Sequence, residues 1–316
     1  MGNPLRIRLM STAIFGKTEP SIADKFRAQQ ELLAERPEIL RTRHQVFLGD
    51  ARVMSELTDD RVHLVVTSPP YWILKLYQDG AGEAQLGHME NYSSFLIELN
   101  RTWQRCFDAL VPGGRLCIVV GDICLPRRKV GRHFVVPLHA DISVQCRIIG
   151  FDYLTPILWY KIANASTEVE GNGAAFLGKP YEPNAIVKND VEYILIFRKP
   201  GGYRKPTNEQ RLLSLISKED HGRWFRAIWD DIPGSNRTKG HPAPYPVELA
   251  YRLINMFSFV GDVVLDPFLG TGTTTEAAIV ARRSSIGYEI EEAYYRLIKD
   301  RLKQIQFDAE VSFLKQ

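Results

Sequence analysis

The stretch that most constrains the fold is His63-Leu64-Val65-Val66-Thr67-Ser68-Pro69-Pro70-Tyr71-Trp72. Its apolar, β-branched opening reads as a buried strand, with Val62 to Val66 as the body. Two consecutive prolines end that strand, because neither can donate to a sheet ladder. Pro70 also keeps Pro69 out of the helical region. The chain therefore leaves a sheet as a stiff, extended corner carrying a hydroxyl, free carbonyls and two large rings. Such a corner suits a flat molecule with polar edges, and a nucleobase taken out of its helix is one. An ordinary turn with a core aromatic uses the same residues, so the corner alone leaves both readings open.

A second stretch, Val263 to Thr274, reads as a strand, a Gly-rich turn and the start of a helix. Gly270-Thr271-Gly272 lacks the third glycine of a dinucleotide fingerprint, and no Lys-Ser/Thr follows it as in a Walker loop. Glycines let a backbone approach a ligand, and a helix N-terminus offers unpaired N–H groups to an anion. Glu289 ends the next strand 19 positions after Gly270. A doubly wound fold places there the acid that holds both ribose hydroxyls.

At these two stretches the chain resembles the amino-methylating DNA methyltransferases. These enzymes move a methyl group from S-adenosylmethionine (SAM) to N4 of cytosine or N6 of adenine. Their catalytic motif, Asp/Asn/Ser-Pro-Pro-Tyr/Phe, reads Ser68-Pro69-Pro70-Tyr71 here, and their cofactor motif, Phe-x-Gly-x-Gly, reads Phe268 to Gly272. The order looks like the family's β-class, and the resemblance runs from about Gln45 to Ile305. It implies a Rossmann-like α/β fold: a mostly parallel, twisted sheet with helices on both faces and a small recognition insert.

The resemblance places SAM against Asp50, Asp266, Phe268, Gly270, Gly272, Thr273 and Glu289. Asp50 would lie near the adenine, or serve as a helix N-cap. Asp266 would face the methionine ammonium, while the helix N-terminus takes the carboxylate. Phe268 would pack on the cofactor or fill the core. Ser68 Oγ and the Pro69 carbonyl would bind the hydrogens of the target amino group, and Tyr71 would stack on the base. Trp72 would either extend the stack or pack behind it. The reaction needs neither a metal nor a covalent nucleophile, because positioning supplies most of the acceleration. Cytosine C5 chemistry is disfavoured, since it needs a Cys nucleophile and no Pro-Cys pair ends a strand. Ser at position 68 favours N4-cytosine over N6-adenine.

Composition adds bounds. The 316 residues are 45% hydrophobic, enough for one large α/β domain with an insert. No apolar run could span a bilayer, and the start lacks a secretion signal. Cys106, Cys117, Cys124 and Cys146 form no Cys-x-x-Cys pair and read as reduced packing residues. A cytoplasmic, nucleoid-associated protein is expected. Net charge is only +3, but Arg198 to Lys239 holds ten Lys/Arg against five Asp/Glu. Arg127, Arg128, Lys129 and Arg132 form a second basic cluster. These two patches are the expected contacts to double-stranded DNA, with Arg223, Arg226, Arg237 and Lys239 carrying the first. Trp224 and Trp229 read as core. A restriction endonuclease acting on the same site is the partner the family implies, with the chain a monomer or homodimer. A methyltransferase for RNA or a small molecule, or a DNA-binding protein without catalysis, are the rival readings.

The chain divides into a peripheral segment 1–44, a catalytic half 45–197, a recognition insert 198–240 and a SAM-binding half 241–316. Helices are expected over 21–36, 91–111, 136–149, near 211–218, and over 247–257, 273–282 and 291–305, with a short one after Asp50. Strands are expected at 45–48, 62–66, 115–120, 153–161, 191–197, 263–265 and 285–289. Residues 73–89 read as a mobile loop that closes over the base, and 163–188 as another long loop. The tail from Gln306 carries no signal.

Overall fold

Alternating strands and helices arrange themselves around one sheet. The computed structural model describes residues 21–35, 41–59, 61–74, 85–125, 127–161, 189–234, 245–305 and 308–316. Its strands are β1 (Thr42–Leu48), β2 (Val62–Thr67), β3 (Leu110–Val120), β4 (Ile123–Leu125), β5 (Phe134–Val136), β6 (Asp152–Tyr160), β7 (Val191–Arg198), β8 (Ile228–Trp229), β9 (Val263–Asp266), β10 (Ser284–Glu289) and β11 (Ala309–Lys315). Nine of them form the sheet β11-β1-β10-β9-β2-β3-β7-β6-β8, and β4 and β5 pair as a separate hairpin. Within the large sheet only β7 runs antiparallel to its neighbours. The mostly parallel doubly wound fold expected from the sequence is the one observed.

Parallel strands need both faces covered, and the side-chain alternation shows how this is met. On β2, Leu64 and Val66 face one layer while Val65 faces the other; on β3, Cys117 and Val119 oppose Leu116, Ile118 and Val120. The helices are α1 (Ile22–Glu35), α2 (Tyr92–Ala109), α3 (Arg127–Val130), α4 (Leu138–Ile149), α5 (Asn208–Leu213), α6 (Lys218–Trp224), α7 (Val247–Phe257), α8 (Thr273–Val280) and α9 (Glu292–Leu302). Phe95, Leu99, Trp103 and Cys106 of α2 join Ile142 and Cys146 of α4 over the first face. Leu249, Ala250, Leu253 and Ile254 of α7 join Ala277 and Ala278 of α8 over the second. Each such Leu or Ile contributes roughly 1.5–3 kcal/mol when fully buried. Cys106, Cys117 and Cys146 are buried and free, as expected, and burial raises all three thiols.

Several boundaries differ from expectation. α2 stops at Ala109, and β3 starts at Leu110 rather than Arg115. Gly113 takes a positive φ of 78°, and its N–H donates to Lys199 O at 2.8 Å, so Pro-Gly-Gly stays paired instead of forming a loop. No helix follows Asp50, whose carboxylate accepts from Arg52 N at 2.9 Å and closes a turn. The helical piece expected near 211–218 is two short helices, α5 and α6, each with its own Thr207 or Ser217 cap. The tail, silent in sequence, is β11. It pairs with β1 from Thr42↔Ala309 to Leu48↔Lys315 and packs Val311 and Phe313 beside Tyr295. Trp224 and Trp229 are buried, as expected, and β8 adds an edge strand beside β6. Among the described residues no helix is long and apolar enough to cross a membrane.

Candidate active site

The sheet order brings four strand ends together. β1, β10, β9 and β2 are successive parallel neighbours, in register at Leu48↔Glu289, Gly287↔Asp266 and Val65↔Leu265. Their carboxyl ends therefore open on one edge, where a doubly wound fold binds its ligands. A solvent-open cleft of about 870 Å³ lies there. Ser68, Pro69, Pro70 and Tyr71 line it, together with Asp50, Phe268, Gly270, Thr273 and Glu289. The two sequence motifs thus share one cavity.

On the cofactor side, Gly270 has φ 57° and Gly272 φ 86°, conformations that bulky residues disfavour. Gly272 is also packed on α9, where an added Cβ would lie 3.1 Å from Ile298 Cγ2. Glu289 is 7% exposed. Its Oε2 accepts from Gly270 N–H at 2.8 Å and its Oε1 from Glu291 N–H at 2.8 Å. Each oxygen keeps a lone pair for a further donor. Burial pushes this carboxyl up to about 8, against those two N–H donors, and the nearby Glu291 and Asp266 charges add to the rise. Arg301 of α9 braces the turn: its Nη1 donates to Thr271 Oγ1 at 3.2 Å and Thr273 Oγ1 at 3.1 Å, and it pairs with Glu276.

Asp266 is placed differently from the expectation. It does not line the cleft; it is 2% exposed and sits behind the turn. Its carboxylate accepts from Thr67 Oγ1 at 2.6 Å, Phe268 N–H at 3.0 Å, Tyr245 OH at 3.2 Å and the Thr274 hydroxyl. Tyr245 OH and Thr274 Oγ1 also bond each other, so this cluster ties the turn to β2 and α8 from behind. Burial raises the carboxyl while the Thr274 and Thr67 hydroxyls pull it back. Asp50 does line the cleft, with Arg52 paired to its carboxylate at 2.5 Å. Phe268 meets Trp103 edge-on at 6.0 Å, so it lines the cleft and fills the core at once.

On the catalytic side, Ser68 Oγ lies 3.5 Å from Tyr71 OH. Tyr71 fits against Gly121, where an added Cβ would lie 3.5 Å from its ring and 3.1 Å from Glu192 Cγ. Glu192 pairs with Lys161. Trp72 packs behind the corner: its Nε1 donates to Met89 O at 2.7 Å and its ring sits 5.0 Å from Tyr92. Its φ of 47° is strained for a bulky residue. Residues 75–84, the middle of the expected lid, and the 163–188 loop lie outside the described residues, apart from 73–74 and 85–89 at the lid's ends.

The basic residues separate. Arg127 and Arg132 are exposed on the hairpin that leaves β3 at the cleft edge, and Arg128 and Lys129 share its short helix α3. Arg223 pairs with Asp231 at 3.3 Å and Arg226 with Asp230 at 3.5 Å. They flank β8, four strands from β2, or roughly 19 Å across the sheet. Arg237 and Lys239 lie outside the described residues. Sequence reasoning missed Thr67, Tyr245, Gln85, Tyr288 and Arg301. Only Tyr245 carried a local signal, in the His241 to Pro246 segment that leads toward the cofactor strand.

A cradle of glycines, a helix N-terminus and an acid with two open lone pairs fits a nucleoside with a charged tail, which is what SAM is. The fold and the cleft define a SAM-dependent methyltransferase. A DNA methylase family model for N6 and N4 methyltransferases matches residues 62–300, so the chain belongs to that family of DNA amino-methyltransferases. The Type II methyltransferase M.MjaI of Methanocaldococcus jannaschii is 40% identical over 86% of this chain and 97% of its own. M.MthZI of Methanothermobacter thermautotrophicus, also a Type II methyltransferase, is 36% identical over 84% and 78%. Among solved structures, the putative DNA modification methylase TTHA0409 of Thermus thermophilus, bound to SAM, superposes with a TM-score of 0.70 at 52% identity, covering 85% of this chain and 97% of that one. The cytosine-N4-specific PvuII DNA methyltransferase shares the fold, with a TM-score of 0.57 at 17% identity over 87% and 96%.

Proposed function

We propose that this site-specific DNA methyltransferase acts on the exocyclic N4 of cytosine, in a base swung out of the duplex. The observation that carries the base assignment is Ser68, a neutral hydroxyl at the first position of the corner, set 3.5 Å from Tyr71 OH. SAM supplies a methyl group already activated by its sulfonium. The chain's part is to bind and orient. Glu289 accepts from the ribose hydroxyls, the Gly270 to Thr273 turn receives the methionine end, and Asp50 lies at the nucleoside end. An exocyclic amino group is a weak nucleophile, because its lone pair is delocalised into the ring. Ser68 Oγ and the Pro69 carbonyl accept from its N–H bonds and favour a more pyramidal nitrogen. Tyr71 holds the ring by stacking, and the strands beneath fix the separation of the reacting atoms.

DNA is held by its phosphates. Arg127 and Arg132 are exposed on the segment between β4 and β5, with Arg128 and Lys129 on the short helix that begins at Arg127, and phosphate contacts of this kind position a duplex. Arg223 and Arg226 take a lesser part, since both already have acidic neighbours. The Type II names of the relatives support a mark that protects a site against a restriction endonuclease.

The test is transfer of labelled methyl from SAM to duplex DNA, then digestion to nucleosides and mass spectrometry. N4-methylcytosine is expected, reduced at least a hundredfold in Ser68→Ala and Tyr71→Ala. N6-methyladenine as the sole product would overturn the base assignment and leave the fold untouched.

A further inference from the structure

The cleft contains a side chain with no task in the scheme above. Gln85 is 7% exposed, yet it lines the cavity beside Ser68, Pro69, Pro70 and Tyr71. Its backbone carbonyl accepts from His88 N–H at 3.0 Å, but its side-chain amide has no hydrogen-bond partner among the described residues.

The other polar groups of the cleft are already oriented by neighbours. Arg52 holds Asp50, two N–H groups hold Glu289, Arg301 holds Thr271 and Thr273, and Tyr288 donates to Glu56. Gln85 is fastened to the catalytic side. It precedes the short Leu86–His88 turn, which packs against the Trp72–Leu74 turn of the corner. Trp72 Nε1 donates to Met89 O just beyond it, and Leu86 shares a core cluster with Tyr71.

We propose that Gln85 is a specificity-determining residue that reads the ring edge of the target base. Cytosine presents an amino donor beside a ring-nitrogen acceptor, N3. Ser68 and the Pro69 carbonyl accept from the first, and the Gln85 amide N–H donates to the second. The two contacts together define an amino-bearing edge. Thymine reverses both polarities there, with a carbonyl beside a ring N–H, so it leaves the acceptors of the corner without a donor. The inference rests on the reading of this cleft as the base site and of the base as cytosine.

The experiment uses the full-length enzyme and a duplex containing its methylated sequence, first located by sequencing modified DNA. Gln85→Met keeps the volume and removes the amide, and Gln85→Ala serves as a second variant. Both should lose about tenfold in kcat/KM for DNA, with KM for SAM within twofold of wild type. A target carrying 3-deazacytosine, which lacks the N3 acceptor, should penalise wild type about tenfold more than it penalises Gln85→Met. Equal penalties in the two proteins would overturn the proposal. So would an unchanged kcat/KM for DNA, or a change confined to KM for SAM, which would hand the amide to the cofactor. If the product is N6-methyladenine, the cytosine reading fails separately, and 1-deazaadenine puts the same question to Gln85.

Discussion

Glu289 makes cofactor binding depend on pH. Its carboxyl is buried among Gly270, Glu291 and the hidden Asp266 charge, and its protonation lies near 8 against an ordinary 4.5. Near neutral pH the ligand-free protein therefore keeps it mostly protonated. The ribose of SAM offers two hydroxyl donors, which favour the anion, so binding at neutral pH releases a proton. If the bound form stays ionised throughout, affinity follows the ionised fraction of the free enzyme. Between pH 6.5 and 8.5 that fraction rises about 25-fold for a group titrating near 8, and the Kd for SAM should fall by about the same factor. Stability without ligand moves the other way. The folded state binds this proton more tightly than the unfolded chain does, so stability drops as pH rises from about 4.5 to about 8.

The assay is isothermal calorimetry across that pH range, repeated near pH 7 in buffers of different ionisation enthalpy to count released protons. The α-amino group of SAM also titrates near 8, so Glu289→Gln is the essential control. The variant keeps the shape but cannot ionise, and it turns one acceptor into a donor facing an N–H. It should bind weakly, with no proton release from position 289. Parallel Kd profiles for wild type and Glu289→Gln would refute the assignment of Glu289 as the ionising ribose ligand.

Two further outcomes follow from the same region. Asp266→Ala takes the acceptor from Thr67 Oγ1 and the Phe268 N–H and leaves the Tyr245 and Thr274 hydroxyls only each other and Val66 O. It should cost roughly 3 kcal/mol or more in a urea unfolding series, and a loss below about 1 kcal/mol would contradict the role of Asp266 as the hub of the turn. Gln316 Oε1 accepts from Asp50 N–H at 2.8 Å, and a Cβ on Gly49 would lie 2.2 Å from that oxygen. Gly49→Ala should therefore raise KM for SAM about fivefold, and the Gly49→Ala/Gln316→Gly pair, which also removes the Gln316 Cβ 2.7 Å away, should fall well short of additive in SAM titrations.

The legible parts of this fold are those written in local pattern. Val62 to Thr67 and Val263 to Asp266 carry continuous apolar, β-branched runs, because both lie in the middle of the sheet and are buried on both faces. The prolines and glycines that end them announce the corner and the turn. The illegible parts depend on partners distant in sequence. β11 is an edge strand whose Ala309, Val311 and Phe313 alternation is weak, and it has meaning only beside β1. Pro112-Gly113-Gly114 falls between the expected helix and strand, yet Lys199 of the chain leaving β7 pairs with it. The Val263 to Thr274 stretch draws attention to Asp266, but an acid beside a ligand turn looks the same in sequence whether it faces the ligand or holds the turn from behind. Only the positions of Thr67, Tyr245 and Thr274 decide, and two of them lie outside that stretch.

That decision bears on how the reaction is aligned. Thr67 and Asp266 are 199 positions apart, yet one hydrogen bond of 2.6 Å joins them. Thr67 is bonded in the chain to Ser68, which meets the amino group, and Asp266 holds the N–H of Phe268 at the start of the cofactor turn. β2 and β9 are adjacent and parallel, so their ends are already level before any side chain acts. Methyl transfer needs its reacting atoms within roughly 3–3.5 Å and aligned. A buried carboxylate shared between the two strand ends leaves little freedom for one to slide past the other. Permuting the order of the motifs along the chain would preserve this alignment, provided the two strands stayed neighbours. Inserting a single residue between Thr67 and Ser68 would not, because it would detach the corner from the bond that sets its height.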